Sequence, residues 1–193
     1  MKPRGKARLA FYIQFVIGWS CRANEPPRFV LDGRQGSEIV LRIAEGAAIG
    51  ETITRLKGQD ADGDTLQFGT KGRNHQLVNI VNMKNNEADV ILAQNLDHEE
   101  SAEHQIILTL TDGHLGQGNY ITQSLLILVE DANDNPPIFI SSPLSISVEE
   151  HSLGQELGSV EAVDADTGAF GQVVYKLSTK QPQDIIDIFS VHT

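Results

Sequence analysis

Seven consecutive residues, two thirds of the way along this 193-residue chain, constrain its fold most strongly: Asp131-Ala132-Asn133-Asp134-Asn135-Pro136-Pro137. The two prolines exclude a continuing helix or a paired central strand, so we expect a stiff, extended connector. Carboxylate and amide side chains crowd the residues before them, and Ca²⁺ takes about six to eight oxygen ligands of this kind. No Cys or His interrupts the run, which argues against zinc or copper. The sequence therefore predicts a linker that holds calcium.

Three further motifs accompany this linker in a regular order. They are Ile43-Ala44-Glu45-Gly46, Leu96-Asp97-His98-Glu99 and Asp164-Ala165-Asp166-Thr167-Gly168, the last followed by a predicted strand over Gly171-Gln172-Val173-Val174-Tyr175. Together with the linker they resemble the cadherin superfamily, from about residue 24 to the end of the chain. The resemblance implies an all-β fold of Greek-key, immunoglobulin-like β-sandwich repeats in tandem. His98 stands where the family pattern has Arg, a position that is not itself a ligand.

An internal repeat supports this domain organisation. Glu45 and Glu149 are 104 positions apart, and so are Asp60 and Asp164, a spacing that fits sandwich domains of about 100 residues. Apolar residues alternate along the chain, which is typical of strands, and helical periodicity does not persist beyond a turn or two. We predict a first repeat over residues 24–135, including the linker, and part of a second repeat over residues 136–193.

The two ends of the chain predict a secreted or membrane-anchored protein. Residues 1–23 read as a signal peptide, because a basic start precedes an eleven-residue apolar run that is too short to cross a bilayer about 30 Å thick. The single Cys21 lies in this segment, so no intrachain disulfide is expected. The second repeat stops about halfway. We therefore expect an amino-terminal fragment of an extracellular, type I plasma-membrane protein with its membrane helix downstream, or a secreted protein if the chain is complete.

The net charge of the chain limits the classes of partner that it is expected to bind. Removing residues 1–23 takes away five of the 15 basic residues and none of the 26 acidic residues, which leaves ten against 26, a net charge of −16. A surface this acidic disfavours nucleic acid and anionic lipid and favours divalent cations. Calcium can also supply the stabilisation that disulfides give other secreted proteins, since it binds the folded chain and not the unfolded chain.

The resemblance also implies the ligands of the linker site. Two or three Ca²⁺ ions are expected between the repeats, held by side chains and, at Ala132 and Asn135, by backbone carbonyls. The implied set is Glu45, Asp97, Glu99, Asp131, Ala132, Asn133, Asp134, Asn135, Asp164 and Asp166. Gathered carboxylates repel one another strongly, and bound cations would neutralise them and join the repeats end to end.

A second acidic group is expected at the opposite pole, or tip, of the first repeat. It comprises Asp60, Asp62, Asp64 and Asp112, with Asn24 and Glu25 as possible further ligands. One interpretation is inheritance from a middle repeat, where such acids meet a preceding linker. The other follows from Asn24-Glu25-Pro26-Pro27, which resembles the ends of non-swapping cadherins that carry an extra calcium at the tip.

The function implied by the resemblance is calcium-dependent cell–cell adhesion or recognition, without catalysis. The partners would be other cadherins, in homophilic or heterophilic contact, with the cations making the linker rigid. Exchange of an amino-terminal strand anchored by Trp is not expected, because the only Trp, Trp19, lies in the predicted signal peptide. The alternative is a secreted, calcium-stabilised β-sandwich enzyme or carbohydrate-binding protein.

Overall fold

The computed structural model describes residues 24–31, 38–113, 118–141, 145–149 and 154–191. The predicted signal peptide, with Trp19 and Cys21, lies outside the described residues. Within them the elements are β1 (Arg28–Phe29), β2 (Glu38–Ala44), β3 (Thr52–Gln59), β4 (Leu66–Lys71), β5 (Val78–Asn82), β6 (Glu87–Leu92), β7 (Glu103–Asp112), β8 (Tyr120–Glu130), β9 (Ile138–Phe139), β10 (Ala162–Val163) and α1 (Gln183–Ile188), with a 3₁₀ turn at His75–Leu77 before β5. The expectation of an all-β fold is confirmed.

Strands β1 to β8 form a sandwich of two four-stranded sheets. One sheet has the order β1-β3-β6-β5 and the other the order β2-β8-β7-β4. Neighbouring strands are antiparallel except β2 and β8, which run parallel over their full common length. Because β2 and β8 run in the same direction, both end at the same pole of the sandwich, and the linker begins there.

The core of this sandwich follows from the alternation of apolar residues. Along β7 and β8 every second side chain from Ile106 and Leu125 onward is buried, because successive side chains of a strand point to opposite faces. The buried apolar residues are Ile39, Leu56, Leu66, Phe68, Leu77, Val78, Ala88, Val90, Leu92, Leu96, Ile106, Leu108, Leu110, Leu125, Ile127 and Val129. Leu96 matters for the site, since it anchors the loop that carries Asp97 and Glu99.

Two asparagines join the sheets at the outer edge of β4. The side-chain amide of Asn82 accepts from Phe68 N at 2.7 Å and donates to Phe68 O at 3.0 Å. The amide of Asn86 likewise accepts from Leu66 N at 3.0 Å and donates to Asp64 O at 3.3 Å. These side chains therefore satisfy backbone groups that would otherwise face outward from an edge strand.

The carboxyl-terminal segment, which comprises the described residues from Ile138 onward, carries much less regular structure. Strands β9 and β10 pair over two residues each, and α1 is six residues long. The strand predicted over residues 171–175 is wrong: residues 168–171 form a turn and residues 172–175 have no ladder partner. This stretch reaches β10 through a side chain instead, because the Tyr175 hydroxyl accepts from Ala162 N at 2.7 Å. No helix among the described residues has the length and apolar character needed to cross a membrane.

Candidate metal centre

The ends of β2 and β8 place Glu45 beside the linker. Ala44 lies opposite Glu130 in the parallel register, and Glu45 N donates to Glu130 O at 3.1 Å. The first residue after β2 therefore meets the first residues after β8. Glu45 and Ala132 are 87 positions apart in sequence, so only this register brings them together.

Glu45 is the buried centre of this pole, with 6% of its surface exposed. Its Oε1 accepts from Ala132 N at 2.6 Å, and its Oε2 accepts from His98 N at 2.8 Å. One carboxylate thus connects the β2 turn, the loop after β6 and the linker. Each oxygen has further lone pairs available for a cation, because an ionised carboxylate offers about four acceptor positions.

The loop between β6 and β7 presents Asp97 and Glu99. Asp97 Oδ1 accepts from Glu100 N at 2.8 Å, and Asp97 O accepts from Ser101 N at 3.0 Å, so this aspartate closes a tight local turn. The ring of His98 contacts the end of β8, with its Nδ1 2.9 Å from Val129 O. The turn leaves the carboxylate of Glu99 exposed beside the linker.

Two contacts tie the linker to the carboxyl-terminal segment. Asp166 Oδ1 accepts from both Asn135 N, at 3.2 Å, and Asn135 Nδ2, at 2.9 Å. Asp131 Oδ2 accepts from Thr167 N at 2.7 Å and also from the Thr167 hydroxyl. Asp164 supports this loop from within, since its Oδ1 accepts from Asp166 N at 3.1 Å.

These elements bring five carboxylates into two overlapping groups. One oxygen each of Glu45, Asp97 and Glu99 lie within 4.8 Å of one another, and so do oxygens of Glu99, Asp134 and Asp166. Glu99 belongs to both groups, so the two form one continuous site. The second group contains residues from both sides of the linker. A shallow cavity at this point is lined by Glu45, Leu96, Asp97, Glu99, Asp134 and Asn135.

Mutual repulsion and desolvation shift the pKa values of carboxyl groups in this site. Partial desolvation, followed by the negative charges of Glu45, Asp131 and Asp134, raises the pKa of Glu99. Desolvation and the charges of Glu45, Asp166 and Asp97 likewise raise the pKa of Asp134. The hydrogen bond from the Thr167 hydroxyl instead lowers the pKa of Asp131. The raised pKa values of Glu99 and Asp134 show that negative charge accumulates at this pole, which is the condition that a bound divalent cation relieves.

The donor set fits a hard cation. All the clustered side chains offer oxygen, as Ca²⁺ requires. Among the described residues, Asp131 Oδ1 and Asp166 Oδ2 are buried side-chain oxygens with no hydrogen-bond partner. A buried acceptor without a partner is costly, and coordination to a cation is one way to satisfy such an oxygen.

The other linker residues implied by the resemblance occupy supporting positions. Ala132 O accepts from Asp134 N at 2.9 Å, and Asn135 uses its N–H groups on Asp166, while Asn133 is exposed. Thr167 was not among the predicted site residues. Its position directly after the Asp164-Ala165-Asp166 motif was the only available signal, and many residue types are compatible with that position.

The tip residues also converge, mainly through the amino-terminal segment. Asn24 Nδ2 donates to Asp112 Oδ2 at 2.8 Å, and Glu25 N donates to Asp62 Oδ2 at 2.7 Å. Asp60 Oδ1 accepts from the backbone N of Asp62 at 2.8 Å and of Asp64 at 3.2 Å. Asn24 and Glu25 thus lie directly on the acidic group.

The tip contains its own unsatisfied oxygens. Asp112 is 4% exposed, and its Oδ1, like Asp60 Oδ2, is a buried oxygen without a hydrogen-bond partner among the described residues. Asn119, which sequence patterns did not indicate, donates to Asn24 O at 3.2 Å and to Asp112 Oδ2 at 3.3 Å. In the part of the chain that the structure describes, three carboxylates within 4.8 Å occur at the linker and not at the tip.

Comparisons with known proteins identify relatives over most of the chain. It is 32% identical over 170 residues to cadherin-related family member 1 of Xenopus laevis, covering 86% of this chain, and 35% identical over 168 residues to human cadherin-23, again covering 86%. No protein-family model matches. The chain spans 19% of the length of the Xenopus relative and 5% of that of human cadherin-23.

The fold of the chain is also similar to solved structures. The chain resembles human protocadherin-24 EC1-2 with a TM-score of 0.66 and 28% identity, covering 83% of this chain and 72% of that chain. It resembles protocadherin gamma C5 EC1-3 with a TM-score of 0.71 and 28% identity, covering 86% and 53%. Both matches extend beyond the first sandwich, since β1 to β8 end at Glu130.

Proposed function

Because the chain belongs to the cadherin superfamily, we propose that it is an extracellular adhesion or recognition module whose linker is made rigid by calcium. Its first repeat comprises residues 24–135, with the linker included, and a second repeat begins at residue 136. The partners are other cadherins, and the whole protein is located at the plasma membrane. The role of the chain is mechanical and not catalytic, a proposal supported by the clustered carboxylates of the described residues, which lie at the linker end of the sandwich.

The observation that carries the proposal is the pair of carboxylate groups that share Glu99. Glu45 and Asp97 of the first group belong to loops of the first sandwich, while in the second group Asp134 belongs to the linker and Asp166 to the carboxyl-terminal segment. A cation bound to Glu99, Asp134 and Asp166 would contact the first sandwich, the linker and the carboxyl-terminal segment at once. Such an ion restricts hinge motion at the linker, since bending separates its ligands.

Calcium titration of the full chain tests this proposal. Amide resonances of the linker, followed by NMR, should shift as calcium rises through the range of about 10⁻⁴–10⁻³ M that is typical of extracellular modules. Asp134→Ala should remove most of this response, while Asp184→Ala, an exposed acid on α1, should leave it intact. Linker resonances that do not shift with calcium in the unaltered chain would refute the proposal. A normal calcium response in Asp134→Ala would refute the assignment of Asp134 as a ligand.

We further propose that the tip holds a calcium of its own, with ligands among Asn24, Glu25, Asp60, Asp62, Asp64 and Asp112. The unpartnered oxygens of Asp60 and Asp112 and the contacts of Asn24 and Glu25 support it. Binding would fix the amino-terminal segment and thereby shape the face offered to a partner. In an Asp134→Ala background, one calcium should remain and should be lost on adding Asp62→Ala. Tip resonances that do not respond to millimolar calcium would instead indicate that the tip carboxylates are inherited from a middle repeat and bind no calcium.

A further inference from the structure

Thr167 makes a two-point contact with the linker. Its backbone N–H donates to Asp131 Oδ2 at 2.7 Å, and its hydroxyl donates to the same oxygen. The residues are 36 positions apart, one directly after β8 and the other in the loop that carries Asp166. The contact therefore spans the boundary between the first sandwich and the carboxyl-terminal segment.

This contact leaves the two oxygens of Asp131 in different states. Oδ2 accepts both Thr167 donors, whereas Oδ1 is buried without a hydrogen-bond partner among the described residues. Asp166 shows the same division, because its Oδ1 accepts both Asn135 donors and its Oδ2 has no partner within that part of the chain. Each carboxylate thus has one oxygen that accepts hydrogen bonds and one oxygen that accepts none among the described residues.

We propose that Thr167 is a positioning residue for the linker cation: its hydroxyl holds Asp131 Oδ2, so that Oδ1 is oriented for metal before metal arrives. The proposal rests on the proposed calcium function and extends it to a residue that supplies no ligand. A carboxylate held in one rotamer loses less side-chain entropy on binding. Hydrogen-bond partners of metal ligands act in this way in metal sites generally, by fixing ligand orientation.

The surroundings of the hydroxyl favour positioning over direct coordination. A threonine hydroxyl has one proton, and here it is donated to Asp131. The same Thr167 oxygen also lies 3.5 Å from His98 Nε2. Thr167 Oγ1 is therefore engaged by Asp131 and His98, whereas carboxylate oxygens of Glu99, Asp134 and Asp166 lie within 4.8 Å of one another and are available for the cation.

Hydroxyl removal in the full chain tests this role. Thr167→Val keeps the shape and the backbone N–H but removes the hydroxyl, and it should weaken calcium binding, read from the amide shifts of Ala132 and Asn135, by about fivefold to tenfold. Thr167→Ser restores the hydroxyl and should bind within about twofold of the unaltered chain. Thr122→Val makes the same change on an exposed position of β8 and should have no effect.

A double-mutant cycle separates positioning from a general loss of structure. In an Asp131→Ala background, Thr167→Val should cause no further loss of calcium affinity. A second measurement is made without calcium: with a chelator present, Asp131→Ala should accelerate hydrogen exchange at the Thr167 amide. Equal weakening by Thr167→Val in both backgrounds, or normal affinity of Thr167→Val itself, would overturn the proposal. An unaltered chain that does not bind calcium would refute the calcium function, while the chelator measurement would still test the Asp131 contact.

Discussion

Ala44 lies opposite Glu130 in the one parallel strand pair of the described sandwich. The chain leaves both strands at the same pole, so Glu45 is carried into the linker and its carboxylate receives hydrogen bonds from His98 N and Ala132 N. The pole proposed to bind metal is therefore joined by its own hydrogen bonds.

Glu45→Ala should lower the free energy of unfolding by about 1–3 kcal/mol even with a chelator present, because two partly buried backbone N–H groups lose their acceptor. The substitution also removes one charge from a repelling cluster. The stabilisation gained from the reduced repulsion is smaller than the cost of the lost hydrogen bonds, since the neighbouring carboxylates of Asp97 and Glu99 are exposed and screened. Urea unfolding measures the change, with exposed Glu51→Ala as the control. Unchanged stability in chelator would mean that Glu45 acts only through metal.

Calcium affinity of the linker should fall as the pH is lowered, starting above the ordinary carboxyl range. The pKa of Glu99 is raised from its ordinary 4.5 and that of Asp134 from its ordinary 3.8, so protons compete with the cation at milder acidity than usual. Without calcium, the free energy of unfolding depends on pH in the opposite direction. The raised pKa values of Glu99 and Asp134 destabilise the fold at neutral pH, and this destabilisation is relieved as the pH falls. Calcium titrations at several pH values check this, and Glu99→Gln should flatten the profile.

Asn82→Ala should lower the free energy of unfolding by about 1–2 kcal/mol, because Phe68 N and Phe68 O both lose their partner at the edge of β4. Asn79→Ala, an exposed change on the same strand, is the matched control. Thermal unfolding provides the measurement. Equal stability of the two variants would show that water replaces the Asn82 amide without cost.

Gly171→Ala should weaken calcium binding at the linker by about tenfold while leaving the first sandwich intact. A Cβ at this position would lie 2.1 Å from Asp166 O, so the loop that carries Asp166 and Thr167 must move. Ala169→Val changes a nearby exposed position and should bind normally. Both variants can be compared by NMR titration, and normal affinity of Gly171→Ala would show that the loop adapts freely.

Amide hydrogens should exchange slowly in β7 and β8 and rapidly over residues 172–178. The two strands form long ladders over a buried core, whereas residues 172–178 lie in no ladder. Exchange measured by mass spectrometry resolves the two regions. Similar protection across both would contradict this expectation.

The sequence by itself determined what depends on neighbouring residues. Alternating apolar residues such as Ile106, Leu108 and Leu110 predicted strands, and the oxygen-rich run from Asp131 to Asn135 predicted a linker site. Both signals are local, because strand faces follow from a two-residue period and proline restricts the backbone next to it. The same local reading failed at residues 171–175, where an apolar stretch has no ladder partner.

The tertiary structure alone decided which groups meet. The parallel register of β2 and β8 brings Glu45 to Ala132 across 87 positions, and the carboxyl-terminal loop brings Thr167 to Asp131 across 36. At the tip, Asn24 meets Asp112 across 88 positions. Such contacts depend on strand register and loop path, which the whole core selects, since a shift by one residue would turn every buried side chain outward.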